Sequence, residues 1–591
     1  MNPATDPTAG AIDPRGRLAA TAPFGGPPAA DFPCHLDAPR PLRPMLPPAG
    51  PLLALLVVLC LVPRALMAYK LDVLCRDGVF YIQLAEAFAS GDLEGGLDGM
   101  RLNLYPLILL ELQRAGLDWE LGGKCWGVLV SSLVVLPLFG WLRRQFDQSV
   151  ALAACLLYAI HPKLIEWSPE LIRDPTFWLF WTLALYCSWR ATTEVRIRWY
   201  VAAGTAITLA LHTRFEGWFL LFPLVWWSAM RWRVLIEDRR RVLPGVLLAA
   251  LTYPLFLLAV NLTWLAEYPR WELGSFVRLQ YVVLWCRSTA GLQVTPTELP
   301  PPVTATPAAA AAPAPAGPAM PAPPPQPAPQ RMSPGRMLVV FANTMRRGMG
   351  AVFGIVWLIG MWGWRPIWLR REHRPLTAMV ICTLAGIWIH LWYAQATSSR
   401  YALTIVLLGS HCAALGWLGV CHWLARLAHK LGESWARPPG LQSAHLLAVT
   451  MVLFGAIGLG TALADSYEGR RREAELGKWL LANFGPGQRV VTSGQMSLLE
   501  HYAQSPADAL PPHAGREWSG RALVACQPEI AVFSRREVQS DVLEHLLDEA
   551  ARIGMKRVDG RRLPVSYDWQ DLIVLQRDRT ALHTAARPPA G

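Results

Sequence analysis

PLLALLVVLCLVPRALMAY, residues 51–69, is the stretch on which the fold turns. A bilayer core takes about 20 predominantly apolar residues per helix, so this run reads as one membrane span. Ten more apolar runs follow: Cys125 to Leu142, Val150 to Ile160, Thr176 to Trp189, Tyr200 to Leu211, Trp218 to Met230, Leu243 to Leu262, Ala351 to Trp364, Thr377 to Tyr393, Ala402 to Leu424 and His445 to Leu463. Composition points the same way. The 591 residues are 53% hydrophobic and only 17% charged, with 27 Trp and a mean hydropathy of +0.26, which excludes an ordinary soluble globular chain. The expected fold is an α-helical polytopic membrane protein of about 11 transmembrane helices, followed by a small C-terminal α/β domain.

A formal charge of +12 in a soluble protein would suggest nucleic acid. Here Lys and Arg fall in short clusters between apolar runs, which is how membrane orientation is set, and no nucleic-acid partner is expected. Arg143 and Arg144; Arg190, Arg196 and Arg198; Arg231, Arg233 and Arg239 to Arg241; Arg365, Arg370, Arg371 and Arg374; then Arg426, Lys430 and Arg437 mark alternate loops as cytoplasmic. The intervening segments then face outward: residues 70–124, His161 to Arg173, the turn around Arg214, residues 265–345 and the turn from Ala394 to Arg400. Everything after Leu463 shares that side.

The ends and linkers differ in composition. Residues 1–47, rich in Pro, Ala and Gly and carrying Arg15, Arg17, Arg40 and Arg43, read as a disordered cytoplasmic tail. Residues 48–464 form the transmembrane unit, whose outer segment 300–335 is a low-complexity Pro/Ala linker. Residues 465–591 alternate a helical run with Leu476, Trp479 and Leu480, the strand-like Arg489-Val-Val-Thr-Ser and Ile530-Ala-Val-Phe, a helical pattern through Val538, Val542, Leu546 and Leu547, and the strand-like Leu572-Ile-Val-Leu. That alternation predicts an extracytoplasmic α/β domain. It has no Gly-rich phosphate loop and no metal-ligand spacing, so positioning or acceptor recognition suits it better than catalysis. The eleven cysteines include no CxxC pair, and Cys60, Cys155, Cys187, Cys382, Cys412 and Cys421 sit in apolar runs as small core residues.

Charges at the edge of the hydrocarbon are costly unless paired or functional, and on the outer side they gather. The first outer loop holds Cys75-Arg76-Asp77-Gly78, after which Tyr81, Leu84, Ala85 and Phe88 recur at the spacing of an amphipathic surface helix. Lys163, Glu166, Glu170, Arg173 and Asp174 surround the next turn, His212-Thr213-Arg214-Phe215-Glu216 forms another, and Ser398-Ser399-Arg400-Tyr401 the last. Carboxylates beside fixed cations suit a reaction on a phosphate-bearing lipid, with Arg or Lys neutralising the phosphate and a carboxylate accepting a proton. Each residue has a structural reading as well. Asp77 can cap its helix, Arg173 and Asp174 can form a capping or interfacial pair, Arg214 and Glu216 can neutralise each other, and Arg400 can snorkel to the interface. Lys163, Glu166 and Glu170 can be interfacial surface.

Taken in order, Arg76-Asp77-Gly78-Val79-Phe80-Tyr81, Leu104-Tyr105-Pro106, Arg173-Asp174-Pro175, Leu211-His212-Thr213-Arg214-Phe215-Glu216-Gly217 and Arg400-Tyr401 resemble the GT-C superfamily of integral membrane glycosyltransferases. The resemblance is nearest to protein O-mannosyltransferases, aminoarabinose transferases and the bacterial RgtA/B/C/D-like enzymes, and it covers roughly residues 50 to 465. It implies a multi-pass protein of the cell (inner) membrane that moves a sugar from a polyprenyl-phosphate donor to a hydroxyl or amine of a lipid, glycan or protein acceptor outside the membrane. It implies that Asp77 is the essential acid of the first outer loop. Many relatives have two adjacent acids there, whereas Gly78 follows Asp77 here; Asp174, then Glu170 and Glu166, are candidates for the second carboxylate. Arg214, Arg400 and Lys163 would bind the donor phosphate, and Arg76, Tyr81, Tyr105, Glu216 and Tyr401 would line the substrate site. Two acids near a phosphate could also hold a divalent ion, but no ligand spacing commits to one. The rival from another class is a secondary transporter or flippase for a lipid-linked or anionic substrate, and a third reading is a catalytically dead scaffold of the same fold.

Overall fold

The computed structural model describes residues 49–97, 102–234, 236–264, 287, 332–363, 370–394, 397–430, 439–464, 467–493, 496–505, 507–509, 516–535, 538, 540–558 and 572–578. The N-terminal tail and most of the Pro/Ala linker read from the sequence lie outside these residues. The linker's far end does not: Ser333 caps a helix that starts at Pro334, its hydroxyl accepting the Arg336 N–H at 3.4 Å.

Within the described residues, each of the eleven apolar runs falls on helix or on helices separated by a short break. By length and composition, Gly50–Lys70, Trp119–Gln145, Asp238–Trp264, Arg374–Trp392 and a stretch beginning at His445 are able to cross a membrane, and Ser399–Leu408 with Ser410–Leu427, bent by 68°, makes a sixth. Gln148–Ile160, Ile197–Leu211 and Ala351–Gly363 are apolar but shorter. The chain is thus a predominantly helical, multi-pass membrane protein. The lipid-facing surface shows in the Ile236–Trp264 helix, where Leu243, Leu247, Leu251, Leu255, Leu258 and Leu262 are exposed at helical spacing. The interior is filled by wholly buried aromatic rings, among them Trp141, Trp178, Trp181, Trp227 and Trp417.

Two features fix the helices against each other. Arg64, inside the first apolar run, is fully buried. It donates to the Cys60, Tyr158 and Ala159 carbonyls at 3.0, 3.3 and 3.3 Å and to the Ser168 hydroxyl at 3.1 Å, and its guanidinium lies 4.8 Å from the Tyr158 ring centre. A charge within an apolar run is retained where it is paired or hydrogen-bonded, and this one ties the first span to the end of the Gln148–Ile160 helix, whose last carbonyls lack helical donors. The second feature is a glycine contact. A Cβ at Gly360 would overlap the Cys412 carbonyl and one at Gly416 the Val356 carbonyl, so Ala351–Gly363 and Ser410–Lys430 meet backbone to backbone.

Beyond the last span the chain forms a five-stranded sheet in the order β2-β1-β3-β5-β4, with β1 Val490–Thr492, β2 Ala507–Ala509, β3 Ile530–Ser534, β4 Met555–Arg557 and β5 Leu572–Arg577. β1 runs parallel to β2 and β3, whereas β5 runs antiparallel to β3 and β4. The three expected strands are β1, β3 and β5, each buried on both faces at its centre, and the two expected helices are Glu468–Phe484 and Ser540–Arg552. The edge strands β2 and β4, three residues each, give too little periodicity to be read from the sequence.

Candidate active site

The surface helix expected in the first loop is Arg76–Ala89, which buries Val79, Tyr81, Ile82, Leu84, Ala85 and Phe88. Cys75, extended, precedes it without a side-chain cap, and Asp77 sits in the first turn, where the helix dipole favours an acid. Dipole compatibility does not occupy its carboxylate. Asp77 Oδ2 lies 2.5 Å from Arg400 Nη1, with the Asp77 side chain 41% and the Arg400 side chain 17% exposed. Arg400 stands on a short 3-10 turn, Ser399–Ala402, entered from Ser398, whose hydroxyl accepts the Arg400 backbone N–H at 3.5 Å.

Arg214 follows the Ile197–Leu211 helix and takes an extended backbone before the 3-10 turn Phe215–Leu220. Its guanidinium bonds Asp174, which opens the Asp174–Glu194 helix ahead of Pro175, and reaches Glu216 at 2.5 Å. Arg214 and Asp174 are buried. Burial pushes the Glu216 carboxyl up, but the Arg214 charge outweighs it and holds the group at about 2. Burial alone would lower Arg214, and the Asp174 and Glu216 charges reverse this and raise it.

Tyr401 joins the two groups. Its ring centre lies 5.3 Å from the Arg214 guanidinium carbon and 5.5 Å from that of Arg400, both within cation–π range. Asp174, Asp77, Tyr401 and Tyr81 all lie within electrostatic reach of Arg400. The four sequence-distant turns therefore meet: Asp77, Asp174, Arg214, Glu216, Arg400 and Tyr401 form one cluster. Beside it Tyr81 and Tyr105 form a buried edge-to-face pair with ring centres 5.0 Å apart, Tyr81 within electrostatic reach of Asp77, Arg400 and Asp174. Burial pushes the Tyr81 hydroxyl up to about 12.

Other residues singled out in the sequence have different partners. Glu170 pairs with Arg470 of the Glu468–Phe484 helix at 2.6 Å; burial pushes its carboxyl up, partly offset by Arg470. Arg76 reaches Glu473 of the same helix at 3.4 Å, and Lys163 pairs with Glu166 at 2.5 Å. Two aromatic neighbours of the cluster went unmarked in the sequence. The His390 ring meets the Tyr401 ring edge-on at 5.0 Å, and the Trp167 ring centre lies 5.9 Å from the Arg400 guanidinium carbon. A lone His inside the apolar run 377–393 is the signal that could have found the first. Trp167 had no signal beyond adjacency to Glu166. Among the described residues no group of three or more His, Cys, Asp or Glu side chains is arranged to hold a metal.

A family model described as dolichyl-phosphate-mannose-protein mannosyltransferase matches residues 120–264, the segment that carries Glu170, Asp174, Arg214 and Glu216. Among solved structures, ArnT from Cupriavidus metallidurans in the apo state is similar over 90% of this chain and 99% of its own, at 14% identity and a TM-score of 0.51. The Archaeoglobus fulgidus oligosaccharyltransferase in the apo form is similar over 82% of this chain and 69% of its own, at 12% identity and a TM-score of 0.48. The oligosaccharyltransferase AglB of the same organism, in complex with an inhibitory peptide and a dolichol-phosphate, gives 86% and 72%, at 12% identity and 0.47. No curated protein matches the chain. Residues 120–264 thus match the mannosyltransferase family model, and the chain as a whole shares the fold of ArnT.

Proposed function

We propose that the protein transfers a sugar from a polyprenyl-phosphate-linked donor to an acceptor hydroxyl or amine on the extracytoplasmic side of the cell membrane. The observation that carries this reading is the pairing of Asp77 from the first loop with Arg400 from a late turn at 2.5 Å, beside a second guanidinium on the same tyrosine ring. The family model over residues 120–264 is described by a donor of this class, dolichyl-phosphate mannose.

The chemistry follows from the exchange of partners. An arriving donor phosphate takes the place of Asp77 on Arg400, since guanidinium binds phosphate at least as well as carboxylate. Asp77 is then free to orient the acceptor and accept its proton. The acceptor oxygen or nitrogen attacks the anomeric carbon as the bond from that carbon to the phosphate oxygen breaks on the opposite face, so the configuration inverts. The electron pair leaves on the phosphate, and Arg400 and Arg214 neutralise the added charge in a poorly hydrated site. Asp174 is the second carboxylate of the cluster. With Glu216 it fixes the direction of Arg214.

Membranes containing the protein, incubated with candidate radiolabelled polyprenyl-phosphate sugars, test the reading. Wild type is expected to label an acceptor and Asp77→Asn to label almost none. Equal labelling by both would remove Asp77 from the mechanism.

A further inference from the structure

The helix Glu468–Phe484, first of the C-terminal region, grips both segments that carry the acids of the cluster. Arg470 and Glu473 lie three positions apart, on one helix face. Arg470 holds the buried Glu170 at 2.6 Å, in the turn leading into Asp174, and Glu473 faces Arg76, the residue before Asp77, at 3.4 Å. On the Asp77-bearing segment the grip is reinforced twice. Arg471 pairs with Asp72 at 2.8 Å, and the Tyr502 hydroxyl accepts the Leu74 N–H at 3.3 Å. An apolar cluster joins the same segments: Val73, Leu74, Val79 and Ile82; Leu171; Ala474 of the Glu468–Phe484 helix; and Leu498 of the Ser497–Ala503 helix that follows it. The two acid-bearing segments touch within it, because a Cβ at Gly78 would sit 3.0 Å from the Leu171 Cβ.

We propose that the C-terminal domain is a positioning element of the transfer site, with Arg470 and Glu473 as positioning residues that hold the Asp77 and Asp174 segments in mutual register. Arg470 acts through Glu170, four residues before Asp174, and Glu473 through Arg76, the residue before Asp77. The proposal rests on the transferase reading for its catalytic consequence, but its structural half can be measured without any substrate.

The test uses the full-length protein in lipid nanodiscs as wild type, Arg470→Gln and Arg470→Lys. Hydrogen exchange is followed in peptides covering residues 72–80 and 168–174, together with transfer kinetics from a polyprenyl-phosphate sugar. Arg470→Gln is expected to raise exchange in both peptides while the spans stay protected, and to lower kcat by about tenfold to a hundredfold at nearly constant KM, the scale of a misplacement of about 1 Å. Arg470→Lys, which keeps the charge, is expected to recover most of both. Unchanged exchange in the two peptides, uniformly raised exchange throughout the spans, or loosened peptides with unchanged kcat would each overturn the proposal. If Arg470→Gln does not fold, Glu473→Gln is expected to loosen residues 72–80 alone, and failure to do so counts against it equally. If wild type transfers no sugar from any donor, the transferase reading falls, and the exchange result still accepts or rejects the grip.

Discussion

Arg214 and Arg400 face the same tyrosine ring from different surroundings. The Arg214 side chain is 4% exposed and is held by two carboxylates, one of them equally buried, whereas among the described residues Arg400 pairs with Asp77, which is 41% open to solvent. Removing one member of a buried ion cluster strands a desolvated charge and costs several kcal/mol. Separating the Asp77–Arg400 pair costs less, because water reaches the exposed Asp77 and Arg400 keeps the Asp174 charge within reach and Tyr401 beside it. On the proposed transferase reading the difference implies a division of labour, with the Arg214 group as a fixed frame and the Asp77–Arg400 pair as the part that opens for a substrate.

That contrast can be broken or sharpened by experiment. Asp77→Asn is expected to reduce transfer by about 10²- to 10⁴-fold, the usual worth of a general base, while shifting the thermal midpoint hardly at all; a large loss of stability would contradict the division. Arg214→Met is expected to show the reverse ranking, with stability lowered by about 3–5 kcal/mol through the uncompensated Asp174 and Glu216 charges, read as a fall in the midpoint of the purified protein. Arg400→Lys keeps the charge but loses the planar fork, so a rise of about tenfold in KM for the donor is expected, equivalent to about 1.4 kcal/mol of binding, with a smaller change in kcat. The smallest effect concerns acid. The folded Glu216 carboxyl is held at about 2 against its usual 4.5, so its stabilising contribution is complete above that usual value and is lost as pH falls towards 2. The difference in thermal midpoint between wild type and Glu216→Gln is therefore expected to be flat from pH 7 to about 5 and to shrink below about 4.5.

Much of this was legible in the sequence because it depends on contiguous residues. Apolar runs are read directly, and the sides expected from the alternation of Arg clusters put Asp77, Asp174, Arg214 and Arg400 on one expected face; the structure brings these four into one cluster. Sidedness does not tell a site from a docking surface, however. Glu170, Arg76 and Lys163 satisfy the same outer-face pattern, yet the first two are held by the Glu468–Phe484 helix and the third by Glu166. The partners Arg470 and Glu473 sit in an ordinary polar helix, where nothing in local spacing marks them. Arg64 was missed for the opposite reason: one charge barely interrupts an apolar run, although it is the kind of residue that a membrane interior retains only with a full set of acceptors.

The glycine contact between Ala351–Gly363 and Ser410–Lys430 has a consequence at the other end of the bent helix pair. Because main chain rests on main chain at Gly360 and Gly416, the separation of these helices has a hard stop that no rotamer can soften. The 3-10 turn bearing Arg400 is continuous with that bent pair. The two glycines thus act as a caliper for the guanidinium: a single added methyl group at either would widen the jaws, and the error would be read at Asp77 rather than where it was made.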